Sequence, residues 1–230
     1  LYRYEEFSLP TMEEMRITDV SIPSHYYSGL TIKKLIIGKE TKRIEGKAFS
    51  DCSNLETIEI HGEPQIYADA FENCIHVKKV VWNPTTYTRI AGETGFPEVK
   101  TIEIMPRTST IGEGTFTKWG IESLTIPQSI KRIGKKAFDH NDNLRKIVIN
   151  GSAIDFASDA FENCVNVESI DFGRCTSYHI AGSTGFPKVT RVTINEAVKE
   201  IEAETFSKWG IEKIIIPESV KKIGSKAFAD

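Results

Sequence analysis

Long hydrophobic runs are missing from this chain. Uninterrupted aliphatic stretches such as Ile214 to Ile216 stop at three residues, whereas a membrane-spanning helix needs roughly 20. No excess of one charge sign is present either. Lys+Arg is 29 and Asp+Glu is 32, giving a formal charge of −3 with both signs interspersed. This excludes the electrostatic footprint of a nucleic-acid or anionic-membrane binder. Cysteine is scarce, at 4 residues and with no C-x-x-C pair, which excludes a disulfide-dense miniprotein and argues against zinc or redox chemistry. Leucine is scarce as well, 7 against 30 isoleucines.

What is present is a globular composition with 40% hydrophobic and 27% charged residues over 230 positions, so wholesale disorder is excluded. Length alone predicts one to two globular units. The isoleucine bias leans toward β structure, because stiff β-branched side chains pack well on a pleated surface.

Three segments reveal a repeat: Lys42-Arg43-Ile44-Glu45-Gly46-Lys47-Ala48-Phe49, Lys131-Arg132-Ile133-Gly134-Lys135-Lys136-Ala137-Phe138 and Lys221-Lys222-Ile223-Gly224-Ser225-Lys226-Ala227-Phe228. Their phenylalanines lie 89 and 90 residues apart, and Thr115 to Phe138 matches Thr205 to Phe228 at 16 of 24 positions. Ala70-Phe71-Glu72-Asn73-Cys74 recurs as Ala160-Phe161-Glu162-Asn163-Cys164. A shorter period sits inside the long one. Short alternating segments end at Ile37, Ile60, Trp82, Ile104, Ile126, Ile149, Phe172, Ile194 and Ile216, 22 or 23 residues apart throughout. The phenylalanines at 49, 71, 96, 116, 138, 161, 186, 206 and 228 wander between 20 and 25.

Each segment reads apolar-x-x-apolar-x-apolar, as in Leu55-Glu56-Thr57-Ile58-Glu59-Ile60. The alternation predicts one strand per repeat with one face buried. The second apolar pair, Ile130 with Ile133 and Val220 with Ile223, predicts a short return segment on the opposite wall. Gly134 and Gly224 are expected to occupy turns of positive φ, with the Ala-Phe stretch forming a helical turn or irregular chain. A 22-residue unit cannot bury its own apolar face, so successive units must stack their parallel strands around one continuous core. Nine strands spaced about 4.8 Å apart make a solenoid roughly 40 Å long.

The pattern L-x-x-I-x-I-P-x-x-V-x-x-I-G-x-x-A-F, followed in Phe49-Ser50-Asp51-Cys52-Ser53-Asn54-Leu55 by F-x-x-C-x-x-L, resembles the BspA-type leucine-rich repeat over about residues 30 to 230. The resemblance implies a right-handed leucine-rich-repeat solenoid with one parallel β-strand per repeat and short return strands or helical turns (α/β or mostly β). It also implies a cell-surface or secreted protein of the kind found in anaerobic, host-associated bacteria and some parasitic protists, several members being regarded as adhesins. Departures from the pattern are Gly95-Phe96-Pro97 and Gly185-Phe186-Pro187, with Trp119-Gly120 and Trp209-Gly210 in place of the cysteine connector. They recur in both long units and read as inherited structural variants.

Residues 1–29 fit the repeat poorly and read as a degenerate repeat or cap, with Val20-Ser21-Ile22-Pro23 as its strand. Residues 30–230 form the solenoid. The chain starts at Leu1 rather than Met and stops mid-repeat at Ala227-Phe228-Ala229-Asp230; the expectation is a fragment continuing beyond 230, with any signal peptide or anchor outside it.

Candidate chemistry is sparse. Cys52, Cys74 and Cys164 share one repeat position and are expected to be buried thiols, although Cys52 and Cys74, 22 residues apart, are near enough in adjacent coils for a disulfide to be conceivable. Cys175 falls off register and is expected to be exposed. His25, His61, His76, His140 and His179 occupy unrelated positions without metal-ligand spacing. Gly92-Glu93-Thr94-Gly95 and Gly182-Ser183-Thr184-Gly185 suggest a phosphate loop, but the P-loop's Lys-Ser/Thr ending is missing, so turns are expected. No G-x-S-x-G elbow occurs. Asn150-Gly151-Ser152 is a glycosylation sequon, relevant only in a eukaryotic host. Catalytic, cofactor and metal sites are each expected to be absent. Trp119 and Trp209 could be sugar-stacking platforms, but they share the cysteine position and are read as core, as is Trp82.

The remaining candidate surface is the outward row of the sheet: Ile36, Glu59, Val81, Glu103, Thr125, Val148, Asp171, Thr193 and Ile215. A row of Lys34, Thr57, Lys79, Thr101, Ser123, Lys146, Ser169, Arg191 and Lys213 flanks it. Exposed apolar patches mark interaction sites, so the expected function is a non-catalytic, adhesin-like module whose partner is a protein or host component. A glycan-binding or glycan-presenting module using connector residues Tyr26, Tyr27, Tyr87 and Tyr178 is the alternative. An enzyme of the parallel β-helix type would need clustered acids or bases in a cleft, and here the acids alternate with aliphatics.

Overall fold

The computed structural model describes residues 12–82, 89–106, 108–152, 154–173 and 180–229. Those residues form a parallel β-solenoid of about nine turns with about 22 residues per turn. It has seventeen strands in chain order and, among the described residues, no helix.

One wall carries the longer strands. Strands β1 (Met12–Ile17), β3 (Ile32–Ile37), β5 (Thr57–Ile60), β7 (Lys79–Trp82) and β8 (Glu103–Ile104) form one sheet, and β10 (Ser123–Ile126), β12 (Lys146–Ile149), β14 (Ser169–Asp171) and β15 (Arg191–Thr193) another. Equivalent repeat positions pair directly, Ile37 with Ile60 and Leu124 with Ile147. The opposite wall holds two-residue return strands: β2 (Ser21–Ile22), β4 (Arg43–Ile44) and β6 (Gln65–Ile66); β9 (Thr110–Ile111), β11 (Arg132–Ile133) and β13 (Asp155–Phe156); and β16 (Glu200–Ile201) with β17 (Lys222–Ile223). In-register pairing is forced because a shift of one residue would turn every buried isoleucine out to water.

Two strand assignments are corrected. Val20 to Pro23 holds a return strand, with Ile22 opposite Ile44, whereas the main strand of that coil is β1, ending at Ile17 opposite Ile37. The 15-residue gap that made this region look irregular compares two different walls. At the other end the segment up to Ile216 forms no ladder strand. Only one side of this last coil has a described neighbour, and Ile215 is accordingly 83% exposed.

A third wall runs through the Ala-Phe segments, where helical turns were considered. They are hydrogen-bonded turns, in which amides at alternate positions reach the next coil: Lys47 to Asp69, Phe49 to Ala70 and Asp51 to Glu72, at 2.8–3.2 Å. This geometry puts a left-handed residue on either side of Ala-Phe, as at Lys47 and Asp51 (φ 58° and 60°) and Lys136 and His140 (φ 50° and 54°). Such conformations cost roughly 1–2 kcal/mol for an ordinary L-residue, and the inter-coil bonds offset them.

Gly134 and Gly224 are not the residues of positive φ. They are glycine because the preceding coil passes too close: a Cβ at 134 would lie 2.8 Å from the Glu113 amide nitrogen, and at 224 2.3 Å from that of Ala203. Positive φ falls two residues later, at Lys136 and Lys226.

The core is a stack of isoleucines between the two sheets and an aromatic column behind the third wall. Tyr27, Phe49 and Phe71 stack nearly parallel at 5.4 and 5.1 Å, as do Phe116, Phe138 and Phe161 at 5.2 and 4.7 Å. Tyr27 therefore extends the column, unlike the exposed connector contact expected of it; Tyr26 is exposed.

Candidate interaction face

The residues that might have carried chemistry are built into the scaffold. Cys52, Cys74 and Cys164 are fully buried free thiols. Each points its Sγ at the carbonyl of the aromatic residue one coil back: Tyr27 at 3.4 Å, Phe49 at 3.1 Å and Phe138 at 3.0 Å. Asn141 occupies the same position and donates its Nδ2 to Phe116 O at 2.8 Å. Where Trp-Gly replaces the cysteine, the amides of Gly120 and Gly210 reach Phe96 O and Phe186 O, both at 3.0 Å. The repeat cysteine is thus one of three ways to satisfy a buried carbonyl. Burial pushes the Cys164 thiol up to about 12, and the contact with Cys52 together with burial pushes Cys74 up.

Trp119 and Trp209 are 2% and 7% exposed, as core residues and not sugar platforms. The Gly92 and Gly182 loops are turns: Thr94 and Thr184 Oγ1 donate to Ala91 O and Ala181 O and accept the amides of Asn73 and Asn163. Among the described residues no group of three or more His, Cys, Asp or Glu could hold a metal ion, and no helix is long and apolar enough to cross a membrane. Cys175, His179, Tyr87, Tyr178 and the Trp82 side chain lie outside what is described.

The outward row lies on the main wall as the strand periodicity requires. Arg16, Ile36, Glu59 and Val81 line up across β1, β3, β5 and β7, and Glu103 follows on β8. Thr125, Val148, Asp171 and Thr193 line up across β10, β12, β14 and β15. Glu103, Thr125 and Thr193 are exposed, and Glu59, Val81, Val148 and Asp171 half-buried. Ile36 is the exception, 4% exposed between Arg16 and Glu59, whose long stems can cover it. It belongs to the core and offers no contact surface. Asp171 accepts the Gly173 amide at 2.9 Å.

The N-terminal part of this face neutralises itself. Lys34 bridges Glu14 at 3.1 Å and Glu59 at 3.2 Å, and His61 lies 3.4 Å from Glu59. Hydrogen bonds to Glu14 and Glu59 raise the Lys34 pKa. Burial opposes ionisation of Glu59, but the bonds from Lys34 and His61 hold its carboxyl below the usual range. Along the sheet's edge runs a ladder of opposite charges one repeat apart: Glu13 with Lys33 at 2.8 Å, Glu56 with Lys78 at 3.3 Å, Lys100 with Glu122 at 2.9 Å and Arg145 with Glu168 at 3.7 Å. Sequence reasoning missed these pairs, although listing the residue four before each strand end would have shown the alternation.

Comparison with known proteins agrees with this geometry. The model of the BspA type leucine rich repeat region matches in six copies, over residues 20–118, 65–181 and 109–230. The chain belongs to this family. No curated protein matches. Among solved structures, a leucine-rich repeat protein from Bacteroides ovatus aligns with a TM-score of 0.68 at 21% identity, covering 91% of this chain and 61% of that one. A leucine-rich repeat protein from Eubacterium ventriosum gives 0.43 at 19%, covering 95% and 64%. A leucine rich cell surface protein from Faecalibacterium prausnitzii gives 0.37 at 14%, covering 94% and 74%. The chain thus spans about three fifths of the Bacteroides ovatus protein, with which it shares the fold.

Proposed function

We propose that the chain is a non-catalytic interaction module of a cell-surface or secreted protein, binding another protein through the outward face of its main wall. Membership of the BspA-type family supports the surface setting. The observation that carries the binding reading is the in-register outward row from Thr125 to Thr193, which sets threonine, valine and aspartate side chains side by side on an open sheet. The glycan reading rests on connector tyrosines. Of these, Tyr27 is stacked on Phe49 and two lie outside the described residues, so the sheet face is the reading carried forward.

Partners captured by the wild-type chain should each be titrated against Glu103→Arg combined with Val148→Arg. The double variant is expected to bind at least about tenfold more weakly while keeping its thermal midpoint, since a misplaced charge on a contact face is costly. Unchanged affinity for every partner identified would reject the sheet face.

A further inference from the structure

The two halves of the main wall differ in how their charges are used. On the first sheet the row beside the outward residues reads Glu14, Lys34 and Thr57, and Lys34 is held between two carboxylates. On the second sheet the same row reads Ser123, Lys146, Ser169 and Arg191 in continuous register. Lys146 and Arg191 are exposed. Among the described residues neither has a carboxylate within ion-pair distance, although Asp171 and Glu168 stand on the same sheet or its edge. Lys213 continues the row by repeat spacing and is likewise exposed and unpaired among the described residues. Beside these cations lie Thr125, Val148 and Thr193, with Ile215 one coil on.

We propose that this second sheet, from Ser123 to Lys213, receives an acidic and partly apolar polypeptide segment in extended conformation. The inference rests on the sheet face being the binding face and specifies what binds there. Lys146, Arg191 and Lys213 supply positive charge to carboxylates, and Ser123 and Ser169 supply hydroxyl donors between them. Val148 and Ile215 give apolar contact that a uniformly charged polysaccharide would not use. Five coils about 4.8 Å apart span roughly 19 Å, the reach of about six extended residues. The self-neutralised first sheet offers no comparable attraction, so the segment is confined to the second.

The test is selection of a random twelve-residue peptide library on the intact chain, followed by titration of the enriched peptides. Sequences rich in Asp and Glu with interspersed apolar residues are expected. Their affinity should fall at least about tenfold in Lys146→Glu with Arg191→Glu, and should weaken with added salt because exposed charges are screened. The control Lys131→Glu with Lys135→Glu makes the same charge change on the return wall and should leave binding nearly unaltered. Loss of binding in that control equal to the loss in the sheet variant overturns the proposal, as does enrichment without acidic bias. Binding of heparin with no acidic peptide enriched also overturns it, and assigns the cations to a polysaccharide. Non-acidic peptides that are still lost on Val148→Arg would sink this inference alone. Peptides indifferent to every sheet-face change would sink the sheet-face reading as well.

Discussion

Coils in this molecule join in two ways. At the regular junctions the phenylalanine rings lie almost parallel, 7° apart for Phe49 and Phe71 and 6° for Phe138 and Phe161. At the Gly-Phe-Pro coils the rings turn to 65° between Phe71 and Phe96 and 61° between Phe161 and Phe186, with centroids 6.5 and 6.3 Å apart. Trp119 and Trp209 then fill the gap, each 4.7 Å from the tilted ring and about 5 Å from the next phenylalanine, at 4.9 and 5.0 Å. The strand period hardly changes across either junction, while the phenylalanine spacing goes from 25 to 20. Ladder hydrogen bonds fix the strand wall in register. The aromatic wall is held by shape, and a larger ring can absorb a change of loop length.

If that contrast is right, the tilted junction should be the more sensitive to backbone crowding. A Cβ on Gly120 would sit 1.9 Å from Pro97 O, against 2.8 Å for the nearest contact at Gly134. Gly120→Ala is expected to cost more than about 4 kcal/mol, and Gly134→Ala less; equal urea midpoints for the two variants would break the comparison. At the regular junction the ring itself dominates. Phe138→Ala removes a fully buried side chain stacked on both sides and should cost about 3–5 kcal/mol, read as a lowered thermal midpoint.

The carbonyl donors sharpen the comparison by pH. Cys164 serves a regular junction, and its folded-state pKa is raised to about 12, so the protonated thiol is favoured by folding. That stability is complete below the unfolded thiol's value of about 8.5 and is lost as pH rises toward 12. Cys164→Ala should flatten the decline in stability measured by denaturant titration between pH 9 and 11; Trp209→Phe, at the tilted junction, should leave its slope alone. The smallest effect concerns the return wall. Thr41 and Thr108 replace the apolar anchor seen at Ile130, and both hydroxyls are buried without a hydrogen-bond partner. Thr41→Val and Thr108→Val should each stabilise by about 1 kcal/mol, with destabilisation in calorimetry as the contrary result.

Periodicity made the fold legible because repetition averages out the ambiguity of a short strand. One apolar alternation is weak, and the same alternation recurring every 22 or 23 residues leaves little but stacked parallel strands. The burial of Cys52, Cys74, Trp119 and Trp209 was legible for the same reason. Their task was not, since the carbonyl each serves lies one coil away. Ile17 escaped notice because β1 reads Met-Glu-Glu-Met-Arg-Ile, too polar to show the pattern. Ile36 was placed outward by alternation, and burial by its neighbours' stems is invisible along one strand.

The sequence by itself determined the coil length, the strand wall, the inward isoleucines and the aromatic column, since all are local patterns repeated until only one packing satisfies them. Tertiary structure alone decided what each coil does to the next. It made Gly134 a point of backbone contact instead of a turn of positive φ, and set left-handed residues beside Ala-Phe. It also paired the charges of the first sheet while leaving Lys146 and Arg191 unpaired on the second. Those properties depend on distances between residues a full turn apart, which a stacked neighbour fixes and a linear pattern does not.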